Sequence, residues 1–441
     1  MSIDFPQGWS EVELHNCVDV LDSQRVPVNS DERTKRQGKV PYYGATGQVG
    51  WIDDYLFDEE LLLIGEDGAP FFDKTKPIAY IINGKSWVNN HAHVLRAISN
   101  ITSNIYLKYF LDWFDFHDYV NGTTRLKLTQ GSMNNIPVRL APINEQRRIL
   151  AKFEKLLDKV SASQKRLEKI PIILKRFRQS VLAAACSGRL TTDWRKHYQE
   201  KDSQCVDSDN NNDLPEGWTE TVLGEIGKWC SGGTPSRRNT EYFGQGVPWV
   251  KSGDLLDGPI IRTDEQITEL GLQSSSAKLM PTGTISMALY GATIGKLGIM
   301  TFPAATNQAC ANVISNEHII KPKYLFYYLF SERQRFIERG QGGAQPNISQ
   351  EIVRSHPISL PSIDEQEEIV HRVEALFALA DQLEVRYNKA KSQVDKLTQS
   401  ILAKAFRGEL VPQDPADEPV GALLEKLRVS KESKPTVRMR G

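Results

Sequence analysis

The chain has 441 residues, 40% of them apolar and 25% charged, which fits ordinary globular domains and leaves room for two plus connectors. Its formal net charge is −1, which argues against strong DNA binding by the chain alone and suits a member of a larger assembly whose partners add charge. No apolar run reaches the roughly 18 residues of a membrane span, the start MSIDFPQGWSEVEL lacks a leader pattern, and the five cysteines are scattered without a CxxC pair, so a cytoplasmic chain with reduced thiols is expected.

Residues 1–142 read as a first globular domain. Its turn-rich stretch SDERTKRQGKVPYYGATGQVG (30–50) carries Arg33, Lys35, Arg36, Lys39 and Tyr43. Asn89 and His91 follow in NNHAHV, and Arg125 and Lys127 in a later loop. His91 and His93 stand two apart without a further ligand cluster, so no metal site is expected. Residues 1–140 hold 13 Lys and Arg against 18 Asp and Glu, so any positive surface there must be local.

Residues 143–190 predict a long helix. Ile149, Phe153, Leu156, Val160, Ser163, Leu167, Ile170, Leu174, Phe177 and Val181 alternate spacings of four and three, the seam of a coiled coil. Pro171 removes a backbone donor and crowds the preceding turn, so a kink or break is expected near 167–171. Residues 191–212 end in DSDNNND and read as a flexible linker.

Residues 213–361 read as a second globular domain, with Thr234, Arg237, Arg238, Lys251, Lys296, Gln308, Gln341, Gln345 and Asn347 in Gly-rich polar loops. A second helix over 362–410 repeats the seam at Ile369, Val373, Leu376, Ala380, Leu383, Tyr387, Ala390, Val394, Leu397 and Ile401. Ser362 with Glu365 predicts a capping box at its start, and Gly188 and Gly408 sit where a left-handed residue closes each helix. Each helix would be about 65 Å long at about 1.5 Å per residue. The tail, 411–441, predicts one short helix with an apolar face at Leu423, Leu424 and Leu427.

The chain repeats itself. Residues 143–190 align without a gap on 363–410 at an offset of 220, and INEQ falls on IDEQ. PQGW (6–9) matches PEGW (215–218), and Gln130, Pro137 and Leu140 fall on Gln350, Pro357 and Leu360. The expected fold is therefore α+β: two similar mixed α/β domains separated by two long helices that form an antiparallel coiled coil, with pseudo-two-fold symmetry. The helices differ in charge, with 12 basic and 4 acidic residues over 143–190 against 7 and 9 over 363–410. Equal frames with unlike loops suggest one task performed on two targets.

The sequence shows no phosphate-cradling GxxxxGK[ST], no [DNS]PP[YF] methyltransferase tetrapeptide and no nucleophile–base pattern. What the loops do offer are Arg, Lys, Asn, Gln and aromatic side chains, the groups that reach base edges. The residues singled out above in both domains are the expected DNA contacts; no catalytic or metal-binding residue is expected.

GGTPSRRNTEYFGQGVPWVKSGDL (232–255), YGATIGKLG (290–298), TNQAC (306–310) and GQGGAQPNIS (340–349) resemble the target-recognition domain of type I restriction–modification specificity subunits. IDEQEEIV with QSILAKAFRGELVPQD (399–414) resembles the spacer helix of that family, and LLIGEDGA (62–69), WVNNHAHVL (87–95) and INEQ resemble the same template in the first half. The resemblance covers nearly the whole chain; the loop over 30–50 departs from the commoner TPS pattern. It implies that each recognition domain reads one half of a bipartite, asymmetric site on double-stranded DNA, and that the helices set the spacer between the halves. It also implies that two modification methyltransferase subunits, which hold S-adenosylmethionine, dock on the helices and methylate adenine. Restriction/translocase subunits using ATP and Mg would add to that core. The chain itself would be non-catalytic and bind no cofactor. The alternative reading is a stand-alone, two-headed DNA-binding regulator, which the near-neutral charge disfavours.

Overall fold

A computed structural model describes residues 5–199, 214–340 and 347–432. Among them no helix is long and apolar enough to cross a membrane.

The first domain is organised around the apolar run Leu61–Gly65, every residue of which is buried. Side chains alternate across a strand, so Leu62 and Ile64 enter one core while Leu61 and Leu63 enter another. This strand lies between Ala92–Ala97 and Ala79–Ile82 in an antiparallel sheet that Val18–Val20 completes. A second four-stranded sheet is ordered Gly47–Ile52, Val40–Gly44, Lys85–Val88, Phe57–Asp58. The short helix α1 (Ser30–Lys35) starts on Asn29, whose side chain accepts from the Glu32 amide. Helix α2 (Asn104–Trp113), capped by Ser103, buries Tyr106, Leu107, Phe110 and Leu111 against the first core. Helix α3 (Gln130–Asn134) leads to Pro137–Leu140, which pairs antiparallel with Ser10–Glu13.

Helix α4 (Ile143–Leu167) and helix α5 (Ile170–Cys186) replace one continuous rod. The break falls at Glu168 and Lys169, and Pro171 occupies the first turn of α5, where its missing N–H costs nothing. Helix α6 (Thr192–Gln199) lies in the stretch expected to be a flexible linker, which corrects that expectation for its first third. The reason is a pair of anchors invisible to composition: Arg195 bonds Glu365, and Arg372 Nη1 donates to the Leu190 carbonyl at 2.8 Å and to Asp193 at 2.6 Å. The acidic end of the linker lies outside the described residues.

The second domain repeats the plan. A five-stranded sheet is ordered Gly227–Ser231, Cys310–Ser315, Ile285–Ala288, Leu297–Met300, Gly258–Ile260, beside a three-stranded sheet of Glu265–Ile267, Phe243–Val250 and Ala305–Thr306. Helix α7 (Glu269–Gln273) is peripheral, α8 (Pro322–Arg339) packs its aromatics on the main core, and α9 (Gln350–Arg354) leads to Pro357–Leu360. That strand pairs with Thr219–Val222 as its counterpart does in the first domain. Helix α10 (Ile363–Ala405) runs unbroken for 43 residues, and α11 (Val420–Glu432) is the helix expected in the tail.

The chain divides into two compact units, Met1–Glu168 with Asn388–Gly441, and Lys169–Tyr387. In the first, Ile149 and Phe153 near the start of α4 share a core with Leu402, Ala405 and Phe406 at the end of α10. In the second, Val181, Leu182 and Ala185 at the end of α5 share a core with Ile369, Val370 and Val373 at the start of α10. Within each unit a helix beginning therefore meets a helix end, which is antiparallel packing. Of the seam expected along α10, Ile369, Val373 and Ala380 are 0% exposed and Leu376, Tyr387, Ala390, Val394 and Ile401 half-buried, while Leu383 is 43% and Leu397 41% exposed. The seam is corrected at those two positions. Heptad spacing places residues on one face, but burial also needs a partner surface at that height.

Each helix start is locked to its domain by the repeated Glu-Gln pair. Gln146 donates to the Ile101 and Ala141 carbonyls at 2.9 and 2.8 Å and accepts from Thr102 Oγ1 at 2.9 Å. Gln366 donates to the Ile319 and Pro361 carbonyls, both at 3.0 Å, and accepts from the Lys321 amide at 2.8 Å. Both glutamines are buried and fully engaged, so neither carries the desolvation penalty of an unpaired amide.

The glutamates differ. Glu365 accepts from Trp218 Nε1 at 3.0 Å and Thr191 Oγ1 at 2.6 Å, and pairs with Arg195. Its expected capping-box partner Ser362 does accept from the Glu365 amide at 3.2 Å, but the carboxylate is spent on Trp218, Thr191 and Arg195. Glu145 receives Gln413 at 3.2 Å, and its Oε2 and Trp9 Nε1 stay buried without closing the matching bond. Burial therefore pushes the Glu145 carboxyl above the usual range. Gly188 and Gly408 close the helices with φ of 72° and 73°, and a Cβ there would strike Pro215 and Pro6 at 2.6 and 2.4 Å.

Three outcomes follow for unfolding measured by denaturant. Leu402→Ala removes a buried side chain and should cost about 2–5 kcal/mol, whereas Leu383→Ala should stay within about 0.5 kcal/mol; equal losses would contradict the packing described. Glu365→Gln strands Arg195 and should cost about 2–3 kcal/mol. Glu145→Gln should be neutral or stabilising. A carboxyl raised in the fold contributes most below the ordinary glutamate range and loses that contribution as pH rises, so the benefit of Glu145→Gln should grow between weakly acidic and neutral pH; a benefit that shrinks over that range would count against the burial argument.

Candidate nucleic-acid interface

In both domains some of the candidate residues lie at one end of the central strand pair, Asn89, His91, Arg125 and Lys127 in the first and Lys296 and Gln308 in the second. In the first domain that end is where Leu61–Gly65 finishes and Ala92–Ala97 begins. In the second it is where Ile285–Ala288 finishes and Cys310–Ser315 begins. The opposite ends lead to the Ile101 and Ile319 carbonyls that hold Gln146 and Gln366. A strand of six residues, about 20 Å at about 3.4 Å per residue, thus separates the candidate surface from the helix anchor within each unit.

In the first domain Arg33 and Lys35 lie on α1 and Arg36 at its end, a helix where the sequence suggested an open loop. The Arg33 guanidinium sits 4.8 Å over the Tyr42 ring and Arg36 4.6 Å over Trp87, with Arg36 also 2.8 Å from Asp53. Aromatic backing of this kind holds a guanidinium flat and leaves its edge to a ligand. Lys39 precedes the hairpin of Val40–Gly44 and Gly47–Ile52. Tyr43 lies on that hairpin, and its carbonyl accepts from the Asn89 amide at 3.0 Å.

Asn89 itself is 8% exposed and spends its Oδ1 on the His91 amide at 2.8 Å, so it shapes the turn that carries His91. His91 and Arg125 converge on Asp67 at 2.7 and 3.0 Å, and Lys127 reaches Glu66 at 3.2 Å. His93 is buried and bonds Asp22 at 2.5 Å and the Leu128 carbonyl at 2.9 Å, a structural role.

In the second domain the loop starting GGTPS packs on TNQAC. The Gly232 amide donates to the Cys310 carbonyl at 3.1 Å and the Gly233 amide to the Thr306 carbonyl at 2.8 Å. A Cβ on Gly233 would stand 2.2 Å from the Ala277 nitrogen, so only glycine permits this approach. Thr234 Oγ1 bonds Gln308 Oε1. Arg237 lies 4.3 Å over Phe243 and 5.2 Å over Trp249, and pairs with Glu265 at 2.7 Å, while Arg238 is exposed. Lys251 reaches Glu265 at 2.8 Å.

Lys251 holds the Glu265 carboxyl below the ordinary glutamate range, helped by Arg237, and its own ammonium is raised in return. The lowered Glu265 stabilises the cluster above the ordinary range, and that contribution is lost as pH falls through the lowered value. Lys296 reaches Asp257 at 3.3 Å; Asp257 has φ of 64° and also holds Arg333. Asn347 is exposed beside Ile348, whose amide donates to the Leu289 carbonyl at 2.8 Å. Gln341 and Gln345 lie outside the described residues.

The structure therefore brings Arg237 and Lys251 together through Glu265, and His91 and Arg125 through Asp67. Sequence reasoning missed these acidic partners, and also Trp51, which is 55% exposed on the first-domain hairpin. Cys310 adjoins the second site, but burial pushes its thiol up to about 12, which leaves it protonated and unreactive at neutral pH. Gly233→Ala should destabilise the second domain and leave the first intact; proteolysis that cut the two domains equally would refute the tight loop contact.

A family model described as type I restriction modification DNA specificity domain matches the chain twice, over residues 6–171 and 215–391. The type I restriction enzyme EcoBI specificity subunit of Escherichia coli is 35% identical over 323 residues, covering 69% of this chain and 66% of that relative, just under two thirds of its length. The EcoDI specificity subunit of the same organism is 27% identical over 450 residues, covering 97% and 96%. The crystal structure of the HsdS subunit from Thermoanaerobacter tengcongensis shares the fold, with a TM-score of 0.60 at 18% identity over 92% of this chain and 99% of that one.

Proposed function

The chain belongs to the family of type I restriction–modification DNA specificity subunits and carries two copies of the specificity domain, and from that premise we propose that each copy reads one half of a bipartite, asymmetric site on double-stranded DNA. One observation supports this above the others. The two domains present polar loops at the same end of the same strand pair, yet the side chains there differ, His91, Arg125 and Lys127 in one and Thr234, Lys296 and Gln308 in the other. A shared frame with unlike side chains suits two readers of unlike sequence. Bidentate arginine contacts to guanine and Gln contacts to adenine are the chemistry on offer.

In this reading residues 1–142 and 213–361 are the recognition domains. The helices over 143–190 and 362–410 set the number of unspecified bases between the half-sites. Half-sites one turn apart need about 34 Å, and α10 provides 43 residues, about 64 Å at about 1.5 Å per residue. The helices also dock two modification methyltransferase subunits, which supply S-adenosylmethionine and methylate adenine. Restriction/translocase subunits supply ATP- and Mg-dependent steps. The chain works in the cytoplasm and carries no catalytic step. A stand-alone regulator is the weaker reading, because the relatives matched are specificity subunits of restriction enzymes.

Methylome sequencing of a host expressing this chain with its modification subunit tests the proposal. Replacing residues 1–140 by the matching domain of another member should change one half of the methylated site and leave the other; two unchanged halves would end the assignment. Inserting seven residues within 372–400 should change the spacer or abolish methylation, and an unaltered spacer would sink the ruler.

A further inference from the structure

Most of the candidate cations of both domains are already occupied. Of the ten Lys and Arg residues singled out, Arg36, Arg125, Lys127, Arg237, Lys251 and Lys296 each touch a carboxylate of their own domain. In several clusters a single carboxylate serves two basic groups, and in two of them both groups are among the candidates. Asp67 lies 3.0 Å from Arg125 and 2.7 Å from His91, and Glu265 lies 2.7 Å from Arg237 and 2.8 Å from Lys251. The acid lies beneath and the cation outside: Arg125 is 62% exposed over Asp67 at 21%, and Arg237 is 56% exposed over Glu265 at 31%. Phe243 and Trp249 support the Arg237 guanidinium from behind, so its head keeps its place when its anion changes.

A carboxylate at such a position repels phosphate and competes for the same donors. It therefore works against binding as such, unless it serves discrimination. On the reading that these loops bind DNA, we propose that Asp67 and Glu265 are built-in counter-ions that set sequence specificity by holding the recognition cations away from non-cognate phosphates. A non-cognate duplex offers phosphates alone, and these must displace an anion already in contact. A cognate duplex adds hydrogen bonds to base edges, which offset that displacement. The first domain's excess of acidic over basic residues, 18 against 13 over residues 1–140, fits the same scheme, since the internal anion lowers the sequence-independent part of affinity.

The test uses the complex of the full chain with its modification subunits, bound to a duplex carrying the methylated site and to a scrambled duplex, each across a salt series. Glu265→Gln keeps the side-chain shape and removes its charge. Glu317→Gln removes the same charge from the turn after Cys310–Ser315, at the strand end away from Gln308, and controls for net charge. Glu265→Gln should tighten the scrambled duplex by roughly 3–10-fold beyond the control and steepen the salt dependence by about one unit, with the methylated sequence unchanged. Asp67→Asn should do the same through the first domain, and thermal unfolding of each variant confirms the fold. Scrambled-duplex affinity equal to that of the control in both variants would overturn the proposal. So would a changed base in the methylated half-site without a gain in non-cognate affinity, which would make the carboxylate a base reader. Failure of the unaltered complex to prefer its own site would instead remove the DNA-reading premise.

Discussion

The fold depends on two buried amides. Gln146 and Gln366 stand at the first turn of their helices and bind the loop that ends the domain's central strand, so the direction of each helix is fixed by the sheet that precedes it. Without that link a helix could hinge at the Leu140–Pro142 or Leu360–Ser362 junction, and the strand ends bearing the polar loops would lose their fixed relation to the helix start. The adjacent glutamates extend the lock to the far end of a second helix: Glu365 collects Thr191 and Arg195 from beyond α5, and Glu145 collects Gln413 from beyond α10. One side is an ion pair and the other a contact with an uncharged amide, so the two copies of the lock differ in strength although the frame is repeated.

Much of this arrangement was legible in the chain itself. The offset of 220 exposed the duplication, Pro171 placed the break between α4 and α5, and Gly188 and Gly408 marked the helix ends. These signals are local: a ring that cannot donate, a residue that tolerates positive φ, a spacing along one helix. The exposure of Leu383 and Leu397 was not legible, because a heptad says which face a residue takes and nothing about what stands opposite.

The site was legible in residue type but not in pairing. Arg125 and Asp67 are 58 positions apart, and their meeting depends on the strand order of the first domain. Asn89 read as a base-reaching amide; the structure adds that it is 8% exposed, its backbone N–H donating to the Tyr43 carbonyl and its Oδ1 accepting from the His91 amide. Helix α6 was hidden because its stability comes from Arg195 on Glu365, a contact 170 positions distant.

The glutamine lock has one more property. Gln146 and Gln366 direct their amide nitrogens at main-chain carbonyl oxygens, which any residue supplies. The joint therefore imposes almost no demand on side-chain identity in the domain it holds. Loops at the far end of the strands are free to diverge without disturbing these two bonds, so long as the backbone path beside each glutamine is kept.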